Sequence, residues 1–354
     1  MDNIYKKLAL HLDRIPNGFP ETESGVELKI LAKLFTPEQA EIACHMSLEP
    51  QLAKTIAKIA GKDDRETFSL LKAMVKKGLI DAQKGDGGLA FKLIPFVVGF
   101  YERQNARIDE EFAHLFEAYY KETFHRMMTI KPSVHRVIPI EKTIPLNIDV
   151  LPYERASTYI EEAKSWGVLD CICRVQKRLI GQGCSHSVNN CMVISSRAGA
   201  FKSSKEIRSL TKEEALEILV QADKEGLVHS TRNVRDGVDY ICNCCSCSCS
   251  VLRGLAVYGS PHAVDRSHFF AVVDEDLCSG CEVCVDRCHF KAIEMKDGIC
   301  SIDKARCFGC GLCVTTCPTE ALRLQQKEQA EIEPTPAAED EWMVHRAAAR
   351  KNKQ

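Results

Sequence analysis

Apolar residues in the N-terminal part of the chain recur at the spacing of amphipathic helices. Those of 28–34 share one helical face, and Pro37 is placed to open a second helix. The pattern of 56–79 predicts a short helix, a glycine turn and a longer helix. In 79–95 two short apolar segments flank a Gly-Asp-Gly-Gly turn, which indicates a β-hairpin. Successive helices followed by a hairpin are typical of a winged-helix-like domain, which we assign to 1–96.

A charged and aromatic helix is predicted next, and we assign 97–130 to it as a connector. Prolines spaced through β-branched residues then predict an extended segment and a domain boundary at 131–152. These prolines are Pro132, Pro139, Pro145 and Pro152.

A central α+β domain is predicted for 131–265. Its helix over 211–227 begins with a capping box formed by Thr211 and Glu214, and this helix separates two groups of cysteines. An internal repeat defines a further domain at 266–325. The polar, alanine-rich tail at 326–354 has no core of its own, and a solvated tail is favoured over docking through Trp342. The fold class is therefore α+β and multidomain.

Composition and charge exclude several classes of protein. The 354 residues are 45% hydrophobic and 27% charged, as in a globular protein. The net charge of 47 − 49 = −2 gives no general attraction to nucleic acid or to anionic membranes. The longest apolar run, 93–101, contains a proline and a glycine and falls short of the roughly 20 residues of a membrane span. The N-terminus lacks the apolar core of a secretory signal, so a cytoplasmic location is predicted.

The cysteines point to metal binding. There are 19 of them, and all except Cys44 lie between Cys171 and Cys317. Disulfides are typical of small secreted domains, whereas these thiols form tight local groups in a long chain that we expect to be intracellular and reduced. Metal ligation is therefore favoured over a disulfide scaffold.

Two runs with identical spacing make up the internal repeat. The first contains Cys278, Cys281, Cys284 and Cys288, and the second contains Cys307, Cys310, Cys313 and Cys317, followed by Pro318. This three-plus-one spacing predicts two cubane [4Fe-4S] clusters whose fourth ligands are exchanged. Cys317 is thereby assigned to the cluster of the first run and Cys288 to that of the second. Zinc is disfavoured because a zinc ion needs only one tetrahedron of ligands, which would not explain two identical three-plus-one runs.

This segment resembles the bacterial two-cluster ferredoxin domain, which implies low-potential one-electron transfer. Gly280, Gly309 and Gly311 are expected to let the backbone approach the sulfides. His289 stands where relatives usually have proline after the fourth cysteine. Cys300, between the runs, is interpreted as a buried strand thiol.

The central domain carries nine further cysteines. They are Cys171, Cys173, Cys184, Cys191, Cys242, Cys244, Cys245, Cys247 and Cys249. If their second segment is extended, Cys245, Cys247 and Cys249 share one face. Arg174 is expected to offset thiolate charge and to donate hydrogen bonds to sulfur, as are Arg178 and Arg253. One or two further iron–sulfur clusters are favoured over zinc or redox-active thiols without metal, and His186 is interpreted as a hydrogen-bonding side chain.

The segments GVELKILAKLF, CICR and ICNCCSCSC resemble those of multidomain 4Fe-4S dicluster-domain-containing proteins of anaerobic bacteria. The resemblance spans 1–325 and implies a winged-helix-like N-terminus, a cysteine-rich middle domain and a terminal ferredoxin-like module. It also implies redox work in anaerobic metabolism. Relatives often have three consecutive cysteines where this chain has Cys247-Ser248-Cys249, which leaves the ligand number open.

The favoured function is an iron–sulfur electron-transfer protein, or the electron-transfer subunit of an anaerobic oxidoreductase, with a redox protein as its partner. No dinucleotide-binding or phosphate-loop motif occurs in the sequence. An oxidoreductase with a catalytic central cluster is one alternative. A redox-responsive winged-helix regulator is another, but the acidic start of its candidate recognition helix, Asp63-Asp64-Arg65-Glu66, opposes DNA binding.

Overall fold

The computed structural model describes residues 3–85, 87–144 and 151–351. They form two compact units: the first comprises the residues up to Met127 together with Val175–Gln182, and the second comprises Met128–Arg174 and the residues from Gly183 onward. Of the helices in these ranges, none combines the length and the apolar character needed to cross a bilayer.

The first unit combines helices with one small antiparallel sheet. Its helices are α1 (Ile4–Asp13), α2 (Val26–Leu34), α3 (Pro37–Ala43), α4 (Ala53–Ala60), α5 (Asp64–Lys76) and α6 (Glu110–Glu122). Its strands are β1 (Gln51–Leu52), β2 (Ile80–Gly85) and β3 (Gly88–Leu93). β3 lies between β1 and β2, and Ile80 is paired with Leu93.

Local sequence explains where these helices begin. Thr36 and Gln39 form a capping box at the start of α3, with Pro37 in its first turn. The Asp63 carboxylate accepts hydrogen bonds from two backbone N–H groups at the start of α5. The apolar faces of α2 and α5 and one face of the hairpin are buried, including Ile30, Leu71 and Phe91.

The single connector helix predicted for 97–130 differs from the structure. Within that range, the α-helix covers Glu110–Glu122, and the rest consists of short turns and one-turn helices. Asp109 explains the late start, because its carboxylate caps the N–H of Phe112. The aromatic residues form a core, with the rings of Tyr101 and Phe116 stacked at a centroid distance of 3.9 Å.

A seven-stranded sheet dominates the central part of the second unit. The helices of this part are α7 (Ala156–Glu162), α8 (Ile172–Leu179), within which the boundary between the units falls, α9 (Lys212–Glu225) and α10 (Ser250–Ala256). The strands are β4 (His135–Val137), β5 (Ser165–Asp170), β6 (Asn189–Ser195), β7 (Arg208–Leu210), β8 (Val228–Arg232), β9 (Tyr240–Cys244) and β10 (Val264–Asp265). Their order is β10-β4-β8-β9-β6-β5-β7.

The sheet brings the two central cysteine groups together. β9 lies between β8 and β6, and Ile241 is paired with Met192, so Cys191 and Cys242 lie on neighbouring strands. The predicted capping box of Thr211 and Glu214 starts α9. The predicted extended segment 131–152 contains β4, which is followed by a short 3₁₀ turn, and a second such turn begins at Pro152. Pro145 lies outside the described residues.

Two antiparallel strand pairs and two short helices complete the cysteine repeat. They are β11 (Phe269–Val273), α11 (Val283–Arg287), β12 (Ile293–Lys296), β13 (Ile299–Ile302), α12 (Leu312–Thr315) and β14 (Leu322–Gln326). β11 pairs with β14, and β12 pairs with β13. Their apolar residues share one buried core with residues of the central sheet and α10, so the repeat packs directly on the central cysteine region.

The expectation of a solvated tail is wrong. Residues of the tail form α13 (Glu339–Lys351), and the Trp342 indole is buried and donates to the carbonyl of Ser133 at 2.8 Å. The Arg346 guanidinium is also buried and donates to the carbonyls of Ile130 and Pro132. The polar sequence of the tail gave no indication of this docking, because the residues that the tail contacts lie about two hundred positions earlier in the chain.

We predict that Trp342→Ala lowers the free energy of unfolding of the second unit by about 3 kcal/mol, because it removes a buried indole and its hydrogen bond. Val344 on the same helix is 67% exposed, so Val344→Ala is a matched control and should change stability by less than about 0.5 kcal/mol. Chemical denaturation of anaerobic protein compares the two. Equal midpoints would contradict the docking of the tail.

Candidate metal centres

Cysteines from both ends of the repeat border a first open cavity. Cys278, Cys281 and Cys284 come from the first run, and Cys317 is the last cysteine of the second. Cys281 is exposed whereas Cys284 is buried. The structure thus brings together the four thiols that the spacing assigned to one cluster.

The second cavity has the complementary set of thiols. Cys307, Cys310 and Cys313 line it together with Cys288 from the first run. The stacked rings of Phe290 and Phe308 also line this cavity. Two of its thiols, Cys307 and Cys313, are buried, so the thiols of this cavity are less exposed to solvent than those of the first.

Backbone N–H groups point at several of these sulfurs. Ala271 donates to the Cys307 Sγ at 3.4 Å, and Ala292 donates to the Cys288 Sγ at 3.3 Å. Burial opposes ionisation of Cys317, but hydrogen bonds from the Thr319 hydroxyl and from backbone N–H groups outweigh it and lower the pKa of this thiol. Such donors favour the thiolate form that a metal requires.

The three glycines expected to approach the sulfides, Gly280, Gly309 and Gly311, have positive φ angles. Contacts with other segments of the chain explain why each of them must be glycine. A Cβ on Gly309 would lie 2.2 Å from the carbonyl oxygen of Phe269, and one on Gly311 would lie 2.4 Å from the Thr143 Oγ1. A Cβ on Gly280 would lie 2.6 Å from the carbonyl oxygen of Gly298. Gly309 and Gly311 also line the second cavity. Close packing between chain segments therefore requires glycine at these positions.

His289 follows the last cysteine of the first run and links it to the central region. Its Nε2 donates to the carbonyl of Gly226 at 2.6 Å, and its Nδ1 accepts from the Ser246 Oγ at 2.9 Å. Burial lowers the pKa of His289, which favours the neutral ring that can make both bonds. Cys300 is a buried thiol on β13 that borders the first cavity.

Six central thiols form a continuous series in which each lies within hydrogen-bonding reach of the next. In spatial order they are Cys171, Cys173, Cys249, Cys244, Cys242 and Cys191. We call them the six-thiol row. Two hydroxyls border it, since the Ser230 Oγ lies 3.6 Å from the Cys244 Sγ and the Ser250 Oγ lies 4.0 Å from the Cys173 Sγ.

The remaining three central thiols meet a histidine. Cys184, His186, Cys245 and Cys247 each offer one ligand atom, and these atoms all lie within 4.8 Å of one another. We call this set the thiol–histidine group. The His186 Nδ1 lies 3.4 Å from the Cys184 Sγ and 3.8 Å from the Cys247 Sγ, and the Cys184 and Cys245 sulfurs are 3.9 Å apart.

Arg174 is buried between the two central groups. Its Nη1 donates to the Cys245 Sγ at 3.6 Å and to the carbonyl of Asn243 at 3.2 Å, while its Nη2 bonds the amide oxygen of Asn190. Its buried Nε has no hydrogen-bond partner among the described residues. A hydrogen bond from Cys247 and the positive charge of Arg174 overcome the effect of burial and lower the pKa of Cys245 to about 4.

The expected common face of Cys245, Cys247 and Cys249 is wrong. β9 ends at Cys244, and a turn follows before α10 begins at Ser250. The turn places Cys245 and Cys247 in the thiol–histidine group, whereas Cys249 joins the six-thiol row. Arg253 is buried on α10, and Arg178 belongs to the first unit.

Sequence reasoning missed two polar residues of this region and only partly described a third. His186 was interpreted as a hydrogen-bonding side chain, and its Nδ1 does lie within hydrogen-bonding distance of the Cys184 and Cys247 sulfurs, but it also belongs to a set of four potential metal ligands. Asn190 and Asn243 are buried and hold Arg174 in place. The spacing Cys184-Ser-His186 gave a weak signal for the histidine, whereas nothing in the local sequence singles out the two asparagines.

Comparison with known proteins bears on the C-terminal repeat. Residues 277–321 match the family model of the 4Fe-4S dicluster domain. Neither a curated protein nor a solved structure matches the chain. The matched segment contains every cysteine of the two runs and therefore the thiols that border both cavities. Residues 277–321 thus form a 4Fe-4S dicluster domain, which supports an iron–sulfur protein.

Proposed function

We propose that this chain is an electron-transfer protein, or the electron-transfer subunit of an anaerobic oxidoreductase, that passes low-potential electrons through two [4Fe-4S] clusters. The observation that carries the proposal is the pair of cavities, each bordered by three cysteines of one run and the last cysteine of the other. A bound cubane supplies one-electron redox chemistry. The thiols hold it, and the surrounding chain sets its charge environment.

The difference between the two cavities suggests the order of the centres along the electron path. Cys281 is exposed, so a redox partner can approach the first cavity there. The second cavity adjoins the central region, since the carbonyl of Cys310 accepts from the Ile140 N–H at 3.0 Å. The path therefore runs between a partner at the first cluster and the central region by way of the second cluster.

His289 supports a continuation of this path to the central thiols. It follows Cys288 in the sequence, and its ring bonds the turn residue Ser246, which lies between Cys245 and Cys247. Covalent bonds and one hydrogen bond thus connect a ligand of the second cavity to the thiol–histidine group. Proline, which is usual at this position in relatives, has no ring donor or acceptor for such a link.

The six-thiol row suits a further iron–sulfur centre at the end of the path. Its thiols come from three separate segments, as the ligands of a preorganised site do. Arg174 lies beside the row, and its positive charge offsets that of Cys171 and Cys244 thiolates. If this centre has an open iron position, the chain would be the catalytic subunit rather than a carrier alone.

The first unit is proposed to dock a protein partner through a winged-helix-like domain. α5 begins with Asp63, Asp64 and Glu66, whose charges would repel phosphates at a helix end otherwise suited to anions. Phe68 on α5 and Leu89 on β3 are large apolar side chains that are about two-fifths exposed. The acidic start of α5 opposes DNA, and the exposed apolar side chains favour a protein partner.

We predict that Cys317→Ser and Cys288→Ser each remove a different cluster. Each variant should lose about four iron atoms per chain, the first from the cavity of Cys278 and the second from that of Cys310. Iron analysis and electron paramagnetic resonance after stepwise anaerobic reduction measure the loss and identify the remaining signal. In either variant the number of electrons accepted at low potential should fall by about one.

Cys300→Ser is the matched control, because Cys300 borders the first cavity but is not among its proposed ligands. Its iron content should equal that of the unsubstituted protein. Loss of about four iron atoms from Cys300→Ser, with retention in Cys317→Ser, would refute the exchange of fourth ligands.

We predict that the protein causes no salt-dependent shift of random duplex DNA, even at low ionic strength, because the acidic start of α5 repels phosphates. Electrophoretic mobility at increasing salt measures this. The variant D63N/D64N/E66Q shows whether these charges are responsible: it should bind more than the unsubstituted protein. A shift with the unsubstituted protein that weakens steeply with salt would favour the regulator instead.

A further inference from the structure

The thiol–histidine group has a geometry that the rest of the cysteine region does not share. Cys184 and His186 lie on the loop before β6, and Cys245 and Cys247 lie on the turn after β9. Four potential ligand atoms from two segments thus converge on one point. Three are thiol sulfurs and one is an imidazole nitrogen, a donor set typical of structural zinc sites.

We propose that Cys184, His186, Cys245 and Cys247 bind one mononuclear, tetrahedral divalent ion of the zinc class. The site is separate from the ferredoxin-like clusters and from the six-thiol row. The Nδ1 atom of His186 and the three sulfurs are the ligand atoms. The ion ties the loop before β6 to the turn after β9.

Distances between the ligand atoms support a single ion. With bonds of about 2.3 Å to sulfur and about 2.1 Å to nitrogen, neighbouring ligands of a tetrahedral ion stand about 3.5 to 3.8 Å apart. The observed separations are 3.4 and 3.8 Å from the His186 Nδ1 to two sulfurs, and 3.9 Å between the Cys184 and Cys245 sulfurs. All four ligand atoms lie within 4.8 Å of one another, whereas the four ligands of a cubane bind four different irons and cannot all be mutually this close.

The surroundings also fit a bound cation. Three thiolates and one divalent ion leave a net charge of −1, and the buried guanidinium of Arg174 donates to the Cys245 Sγ. The Ser248 hydroxyl lies 3.4 Å from the Cys184 Sγ. Hydrogen bonds of this kind commonly orient the ligands of a metal and reduce the charge on sulfur.

The test measures zinc and iron per chain in full-length protein purified anaerobically without added metal. About one zinc per chain is expected. Cys247→Ser should lose that zinc while the iron content stays unchanged, and this exposed thiol can be replaced with little disturbance of the core. His186→Ala should lose most of the zinc, whereas His186→Cys should retain it by supplying a fourth thiolate.

Cys44→Ser is the control, because Cys44 belongs to the first unit and lies outside the group; its zinc content should not change. Zinc that persists in both Cys247→Ser and His186→Ala would overturn the proposal, as would iron in place of zinc at these residues. Separate zinc and iron counts also distinguish failure of this proposal from failure of the proposed electron-transfer function.

If Cys247→Ser loses iron as well as zinc, the variant has misfolded and the unsubstituted protein decides. Its zinc is then exchanged for cobalt(II), and the visible spectrum is compared with that of the iron–sulfur clusters alone. Intense ligand-field bands of tetrahedral cobalt with sulfur charge transfer are expected. Bands of an octahedral ion, or none at all, would overturn the assignment.

Discussion

Convergence of thiols from distant parts of the sequence is the constraint on which the second unit depends. Each cavity of the repeat needs a cysteine from the far end of the other run, so Cys317 must return to the first run and Cys288 must reach the second. The pairing of β11 with β14 closes the segment and makes this exchange geometrically possible. The sheet of the central region performs a similar task for Cys191 and Cys242.

Thiolates also carry charge, and this explains the polar residues buried beside them. Arg174 would be costly to bury alone, but it donates to the Cys245 Sγ and to the carbonyl of Asn243. Burial lowers the pKa of His289 and favours its neutral ring, which bridges Gly226 and Ser246 without adding charge near the second cavity. The same region therefore contains both a compensating cation and an uncharged link, each placed by fixed hydrogen bonds.

The sequence was sufficient where neighbours in space are close along the chain. The helix start at Pro37, the capping box at Thr211 and the even spacing of the repeat each involve residues a few positions apart. It was insufficient for contacts between distant segments, such as Trp342 with Ser133. Periodicity also misjudged 97–130, because the cap at Asp109 starts a new helix and overrides the general helical tendency of the segment.

The adjacent residues Cys244 and Cys245 show why nine central cysteines divide between two groups. Cys244 is the last residue of β9, so its side chain follows the strand alternation and joins the row with Cys242, two positions earlier. The chain turns immediately afterwards and directs Cys245 towards Cys184 and His186. A single peptide bond therefore joins a thiol of one group to a thiol of the other, and the charge of Arg174 acts on both. Any metal bound by one group lies close enough to influence the charge of the other.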